Sequence, residues 1–426
     1  MTSMALAGER TFSSLRRHHN YRLFFAGQVI SVAGSWMQNV ALVWLVIQLS
    51  DSPLAVGALA FCRFLPFTFL GLGAGVLADR VDTRRLVIAT QLAAMGVSIL
   101  LAAAVLLNVA TLPLVYALAT LGGVTLVFDA SGRQTLTFQL VGRDELPNAV
   151  ALNSSLFNAS RVIGPAIAGV VIAMVGTGLC FVVNAVSFLA VLAALLAMRT
   201  DELIAVEHAP SGGIIAGARE GLAWARRNRR ARATLIVVAV TSVLGFNFHV
   251  LIPLLAADTL HVGPQGLGLL SAAFGAGALI GALVAAARPI ARVRTFLCGG
   301  AGFSVMLLAL APVTDERLAA VLLVALGVCF TLFLTTANAL VQLAAPAQLR
   351  GRAISIYLLA FAGLAPIGGL VSGTLTQLGG TELSFSLAGL VGLGAVGWAA
   401  RDLHASSTSS VSSDFSPRSC TSAAES

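Results

Sequence analysis

The chain reads as an all-α polytopic membrane protein with twelve transmembrane helices in two pseudo-symmetric six-helix bundles, and three observations lead there. Of its 426 residues, 58% are hydrophobic and only 10% charged, a balance that water does not tolerate on a surface; a spanning helix uses about 20 apolar residues. Nearly every basic side chain falls in alternate gaps between the long apolar runs, or at the two ends. The halves also echo each other: SDSPLAVGALAF precedes the second run and VGPQGLGLLSAAF the eighth, while RDELPNAVAL precedes the fifth and AQLRGRAISI the eleventh. Parallel repeats of this kind enclose a site near the midplane of the bilayer.

The apolar runs lie near 22–49, 54–77, 86–107, 112–138, 148–175 and 178–198, then near 233–257, 266–287, 294–312, 317–342, 353–376 and 382–400. One set of gaps holds Arg80, Arg84 and Arg85; Arg143; the run from Arg219 to Arg232; Arg288, Arg292 and Arg294; and Arg350 with Arg352. The other set, around Asp51, Asn108, Gly176, Asp258, Asp315 and Glu382, holds only Arg317. Cytoplasmic loops carry the excess of basic residues. The rich gaps are therefore expected inside the cell, and Arg10, Arg16, Arg17, Arg22 and Arg401 put both termini there too. The predicted domains are an N-terminal bundle (1–198), a cytoplasmic linker (199–232), a second bundle (233–404) and a disordered cytoplasmic tail (405–426) rich in Ser and Thr.

In the linker, Ile214, Ile215, Ala218, Leu222 and Ala225 share one helical face, with Arg219, Glu220, Arg226 and Arg227 off it. Such a helix is expected to rest on the cytoplasmic leaflet; the alternative is a solvated connection whose arginines only fix orientation. A net charge of +8 suggests nucleic acid in a soluble protein, but arginines beside membrane spans favour anionic lipid. No lysine occurs among the 26 basic residues, which excludes a GxxxxGK[ST] phosphate loop and a Schiff-base lysine. Cys62, Cys180, Cys298, Cys329 and Cys420 are scattered, with neither metal spacing nor a disulfide framework. No cofactor and no metal is expected.

A few residues carry chemistry. GAGVLADRVDTRR, between the second and third spans, places Gly75 for close packing, Asp79 and Arg80 at the cytoplasmic rim, and Arg84 and Arg85 in the loop. This turn is either a gate element or a topology signal. In the fifth span, Pro165 leaves the carbonyl of Arg161 without its helical partner, so the helix can bend there, and Gly164 and Gly169 allow close approach. Gly363, Pro366, Gly368, Gly369 and Gly373 repeat the pattern in the eleventh span. Charges inside spans are sparse: Arg63, Asp129, Arg133, Arg161 and His249. Each charged group costs roughly 2.5 to 3.5 kcal/mol at a helix centre, so these residues are expected to face an interior cavity and find partners. Asp129 and Arg133 stand four apart on one face and can pair. Asp129 is the first candidate for a proton site, the alternative being a static bridge to Arg133. Arg63 and Arg161 are candidate cavity charges for an anionic group, or groups that keep Asp129 ionised. His249 either titrates near neutrality or packs through a hydrogen bond.

Together these residues resemble the major facilitator superfamily. GAGVLADRVDTRR is similar to its GxxxDRxGRR turn, with Asp82 where glycine is usual and Thr83 in place of a basic residue; RVIGPAIAG is similar to the GP motif of drug:proton antiporters. FDASGRQTLTFQLVGRDELPNAVALNSSLFNASRVIGPAIAG resembles the branch of enterobactin exporters and macrolide efflux proteins. The second half keeps only a degenerate copy of the turn, with Ala285 at its acidic position. The resemblance implies the major facilitator fold and proton-driven efflux of a small amphipathic drug, antibiotic or siderophore-like metabolite by alternating access; arginine-only usage and the lack of a recognisable targeting sequence suggest a bacterial plasma membrane location, and a functional monomer is expected. A nutrient uptake permease of the same fold is the alternative. A membrane-embedded enzyme is the remote one, since the chain has no HExxH, no GxSxG and no second intramembrane carboxylate to complete an acid-base pair.

Overall fold

In a computed structural model of the chain, the described residues are 12–204, 214–287, 291–346 and 349–412, without the side chains of 72–80, 214–218 and 404–412. Every element among them is helical: α1 Ser13–Arg17, α2 His19–Leu49, α3 Pro53–Arg80, α4 Thr83–Leu106, α5 Leu112–Val175, α6 Thr177–Ala197, α7 Ile214–Arg227, α8 Arg229–Leu244, α9 Phe248–Leu254, α10 Pro264–Ala286, α11 Val293–Leu310, α12 Glu316–Ala344, α13 Arg350–Phe361 and α14 Ala365–Ser412, with a short 3-10 turn at Thr200–Glu202 and a π turn at Leu255–Thr259. Ten stretches are long and apolar enough to cross a membrane. Their starts follow the sequence chemistry. Proline occupies the first turn of α3, α5 and α10, where its missing N–H costs nothing. Asp82, Asn228 and Asp315 cap α4, α8 and α12 by accepting from Arg85 N, Ala231 N and Leu318 N at 2.9, 3.0 and 2.8 Å.

The structure departs from the expected spans in four places. The gaps between the fourth and fifth runs, and between the eleventh and twelfth, are single kinks rather than loops. α5 has 64 residues, roughly 96 Å at the α-helical rise and about three times the hydrocarbon thickness. It turns back at Gly142, with φ 70° and ψ −175°; α14 does the same at Gly379 and Gly380. Positive φ at Gly142 and Gly380 is open to glycine at little steric cost. The seventh run is interrupted between α8 and α9 at Gly245–Asn247, just before His249, and Pro253 then denies the His249 carbonyl a helical partner. The eleventh is interrupted between Phe361 and Ala365, immediately before Pro366. α5, by contrast, keeps helical dihedral angles through Pro165. Beyond the spans, α14 runs on to Ser412.

α2, α3, α4 and α6 pack around α5; α10 and α11 pack on α12, and α8 and α11 on α14. The two groups meet mainly through α5 against α10 and α3 against α14. Both seams are zipped by glycine. A Cβ built on Gly57 would lie 2.6 Å from the Gly369 carbonyl oxygen, and one on Gly268 2.7 Å from that of Pro165 and 2.8 Å from Gly169 Cα. Small residues let helix backbones approach this closely. These contacts sit at the helix ends beside the turns at 50–53 and 260–264. Toward the opposite ends, cavities of about 620 and 640 Å³ open, one beside Gln28, Arg133 and Asn153 and the other beside Thr335, Asn338 and Arg350.

The linker helix α7 lies against α13. Gly221 abuts Ile356 and Arg352, Glu220 pairs with Arg352, Ala225 is buried and Trp224 packs against the core, while Leu222 stays exposed. The described part of its apolar face thus meets protein as well as the outside. Ile214, Ile215 and Ala218 lie outside the described side chains, as do Gly75, Asp79 and Arg80; Arg10, Arg288 and the tail from 413 lie outside the described residues.

Candidate functional site

Asp129 sits on the inner face of α5, one helical turn before Arg133, and its burial is almost complete. Its Oδ1 accepts hydrogen bonds from Thr90 Oγ1 at 3.0 Å and Gln91 Nε2 at 2.6 Å, both on α4. Its Oδ2 lies 2.5 Å from Arg133 Nε, a close ion contact although that N–H does not point along the line between the two atoms. Arg133 also donates through its terminal nitrogen to Gln28 Oε1 on α2. A carboxylate and a guanidinium four residues apart are therefore tied to three helices. Arg133 borders both a smaller cavity of about 110 Å³, which Asp129, Gln91 and Arg63 also line, and the 620 Å³ cavity. The ion pair partitions the two spaces.

Gln91 is built asymmetrically. Its amide N–H binds Asp129 while its buried Oε1 has no partner among the described residues, and an unsatisfied buried acceptor costs roughly 1–3 kcal/mol. A carboxylic acid would supply that missing donor if the amide turned over. Gln91 can thus serve either protonation state of Asp129. Further along the same bundle, Gln38 Oε1 accepts from Ser98 Oγ and Asn184 Nδ2, each at 2.7 Å.

A second chamber, of about 60 Å³, lies between the two groups of helices. Arg161 from α5 spans it, its guanidinium carbon 4.7 Å from the Phe274 ring centre and 5.7 Å from those of Trp36 and Phe330. His249 stacks on Trp36 at 6.4 Å and tilts against Phe64 at 5.6 Å, and Arg63 lies 5.8 Å from the Phe64 ring centre. The break before α9 is what turns His249 inward. Gly164 presses on Trp36 Cβ and Ala33, and Gly169 on Gly268, so the RVIGPAIAG segment seats Arg161 against both groups of helices. Arg161 is not next to Asp129; Arg133 takes that place.

The loop arginines have local tasks. Arg84 donates to the Leu195 carbonyl at 2.8 Å, capping the C-terminal end of α6, where a cation is favoured. Arg85 approaches Asp82 at 3.8 Å. Arg352 is engaged by Glu220. Sequence reasoning passed over Gln28, Gln91 and the aromatic chamber. The glutamines carried a signal, as uncharged polar side chains within apolar runs; Trp36, Phe64, Phe274 and Phe330 carried none, because an aromatic residue in a span looks like packing.

Comparison with known proteins agrees with this architecture. The profile of the transmembrane secretion effector family matches residues 10–419. The multidrug efflux pump Tap of Mycolicibacterium fortuitum is 29% identical over 83% of this chain and 88% of its own length, and the staphyloferrin A transporter of Staphylococcus aureus 24% identical over 87% and 92%. The fold resembles that of a bacterial homolog of the human lysosomal transporter Spinster in an inward-facing, unoccupied conformation, with a TM-score of 0.68 at 11% identity, over 94% of this chain and 98% of that one. These relatives are transporters rather than enzymes. The chain belongs to the transmembrane secretion effector family of the major facilitator superfamily.

Proposed function

We infer that this chain is a proton-coupled exporter of small amphipathic compounds in the bacterial plasma membrane, working by alternating access. With α5 and α14 each folded back at glycine, the ten apolar stretches make twelve crossings in two bundles of six, with both termini and α7 in the cytoplasm, as the arginine pattern predicts. The monomer is the working unit, and anionic lipid lines its basic cytoplasmic face. The glycine seams then lie on the external side and the larger cavities face the cytoplasm, so the conformation described is open inward.

One observation carries the coupling: Asp129, the single carboxylate well inside a span among the described residues, is held by Thr90, Gln91 and Arg133, and Arg133 lines both the smaller cavity and the larger one. In the described arrangement two hydrogen-bond donors and a guanidinium surround the carboxylate. Proton loss to the cytoplasmic cavity leaves an anion that Arg133 and Gln91 satisfy. When the halves rock to open outward, a rotation of the Arg133 side chain away from Asp129 removes that support and Asp129 takes a proton from outside, with Gln91 turning its free Oε1 toward the acid. Export requires this difference between the two sides. The relatives named for multidrug efflux and siderophore transport favour outward movement. An efflux-deficient bacterium expressing the chain should tolerate more of an exported toxic compound, and a protonophore should abolish that tolerance. Raised cellular accumulation of the same compound instead would identify an uptake permease.

A further inference from the structure

The interior holds more positive charge than its own carboxylates neutralise. Among the described residues placed well inside the spans, Arg63, Arg133 and Arg161 are cations and Asp129 the one carboxylate. Asp129 is committed to Arg133, which leaves Arg63 and Arg161. Neither has an ion pair or a side-chain hydrogen bond among the described residues; their neighbours are the rings of Phe64, Trp36, Phe274 and Phe330. Ring faces attract a guanidinium's charge but accept its N–H groups poorly. In a water-poor cavity such donors are left wanting an acceptor. His249 lines the chamber of Arg161, where no acid is found among the described residues, and Arg63 lines the adjoining cavity.

We propose that the chamber of Arg161, together with the adjoining cavity that Arg63 lines, selects amphipathic organic anions once it widens in the transport cycle: Arg161 and Arg63 hold a carboxylate or similar oxyanion while the apolar body of the compound lies among Trp36, Phe64 and Phe274. A cationic compound meets two unpaired guanidiniums instead and is disfavoured. The assignment rests on the chamber being the substrate site of the proposed exporter, but it concerns affinity alone, so its test uses neither a gradient nor a direction of transport.

Purified full-length protein would be titrated by fluorescence with three probes of one skeleton: a dansyl-tagged medium-chain carboxylic acid, its methyl ester and the corresponding primary amine. The acid is expected to bind about tenfold to hundredfold more tightly than the ester, with the amine weakest. Arg161→Gln and Arg63→Gln should each erode the preference of acid over ester, and a thermal unfolding midpoint near that of the parent shows that each variant is folded. Arg161→Lys should keep part of the preference. Equal binding of acid and ester, tightest binding of the amine, no binding of any probe, or an undiminished preference in the Arg63→Gln, Arg161→Gln double variant would each overturn the proposal. Acid preference without proton-driven transport would refute the exporter reading alone; uphill export of an amine would refute the anion assignment alone.

Discussion

Gly268→Ala tests whether the glycine seams hold one side of the molecule shut. The added Cβ would lie 2.7 Å from the Pro165 carbonyl oxygen and 2.8 Å from Gly169 Cα, whereas nonbonded carbon atoms settle near 3.5–4.0 Å. Both obstacles are backbone, so no side chain can swing away, and α10 and α5 must part by roughly 1 Å. Overpacking of this size costs about 1–3 kcal/mol, a shift of about 5-fold to 150-fold in a two-state population. The penalty falls on the conformation with the seam closed and spares the one with it open. A cysteine at Ser271, which lines the chamber of Arg161, would report access in a background with the native cysteines replaced by alanine. In right-side-out vesicles, labelling by a membrane-impermeant thiol reagent should be slow with Gly268 and at least fivefold faster with Gly268→Ala. Unchanged labelling in a variant that inserts and folds normally would refute the reasoning.

The same structure predicts three further outcomes. Gln91→Leu removes a hydrogen bond to a charged acceptor, worth about 1.5–3 kcal/mol; proton-driven transport should fall several-fold and its pH profile move, and an unmoved profile would separate Gln91 from coupling. Trp224→Ala should loosen α7 from α13 far more than Glu220→Gln, because the Glu220–Arg352 pair is solvent-accessible and such pairs contribute about 0–1 kcal/mol, while Trp224 packs against the core; hydrogen exchange across 350–361 ranks the two. Glu145, in the turn after Gly142, is held below the ordinary carboxylate range, chiefly by the hydroxyl of Ser13, with Ser14, Arg17 and His18 assisting against a desolvation that acts the other way. A depressed folded-state pKa means the stabilisation is complete above the ordinary carboxylate pKa and is lost as pH falls through the lower value. Residues 13–17 should therefore detach on acidification, and Glu145→Gln should abolish that pH dependence.

Most of the scaffold was legible because a bilayer leaves the chain few choices: backbone groups must be satisfied within a helix, so apolar length locates spans. Gly142 and Gly380 could not be read as kinks from composition, since the turn depends on a positive φ that only neighbouring helices impose. The interruption at Gly245–Asn247 was equally hidden, because apolar residues continue through it, although Pro253 gave a partial warning. For the site, the i, i+4 spacing of Asp129 and Arg133 placed them together correctly. Nothing in that spacing told that Gln28 and Gln91 would complete their shell, because those contacts join helices far apart in sequence. Arg161 was legible as a charge needing a cavity, whereas its aromatic surroundings come from both groups of helices and emerge only on packing.

The central claim is that Asp129 carries the coupled proton, and Asp129→Asn addresses it directly. Asparagine preserves the size of the side chain and an acceptor for Thr90, but it can neither release a proton nor pair with Arg133 as an anion. Reconstituted in liposomes with an imposed pH gradient, the variant should fail to accumulate substrate against its gradient while retaining counterflow exchange. Uphill transport at the parent rate would show that Asp129 is structural and that the proton moves elsewhere.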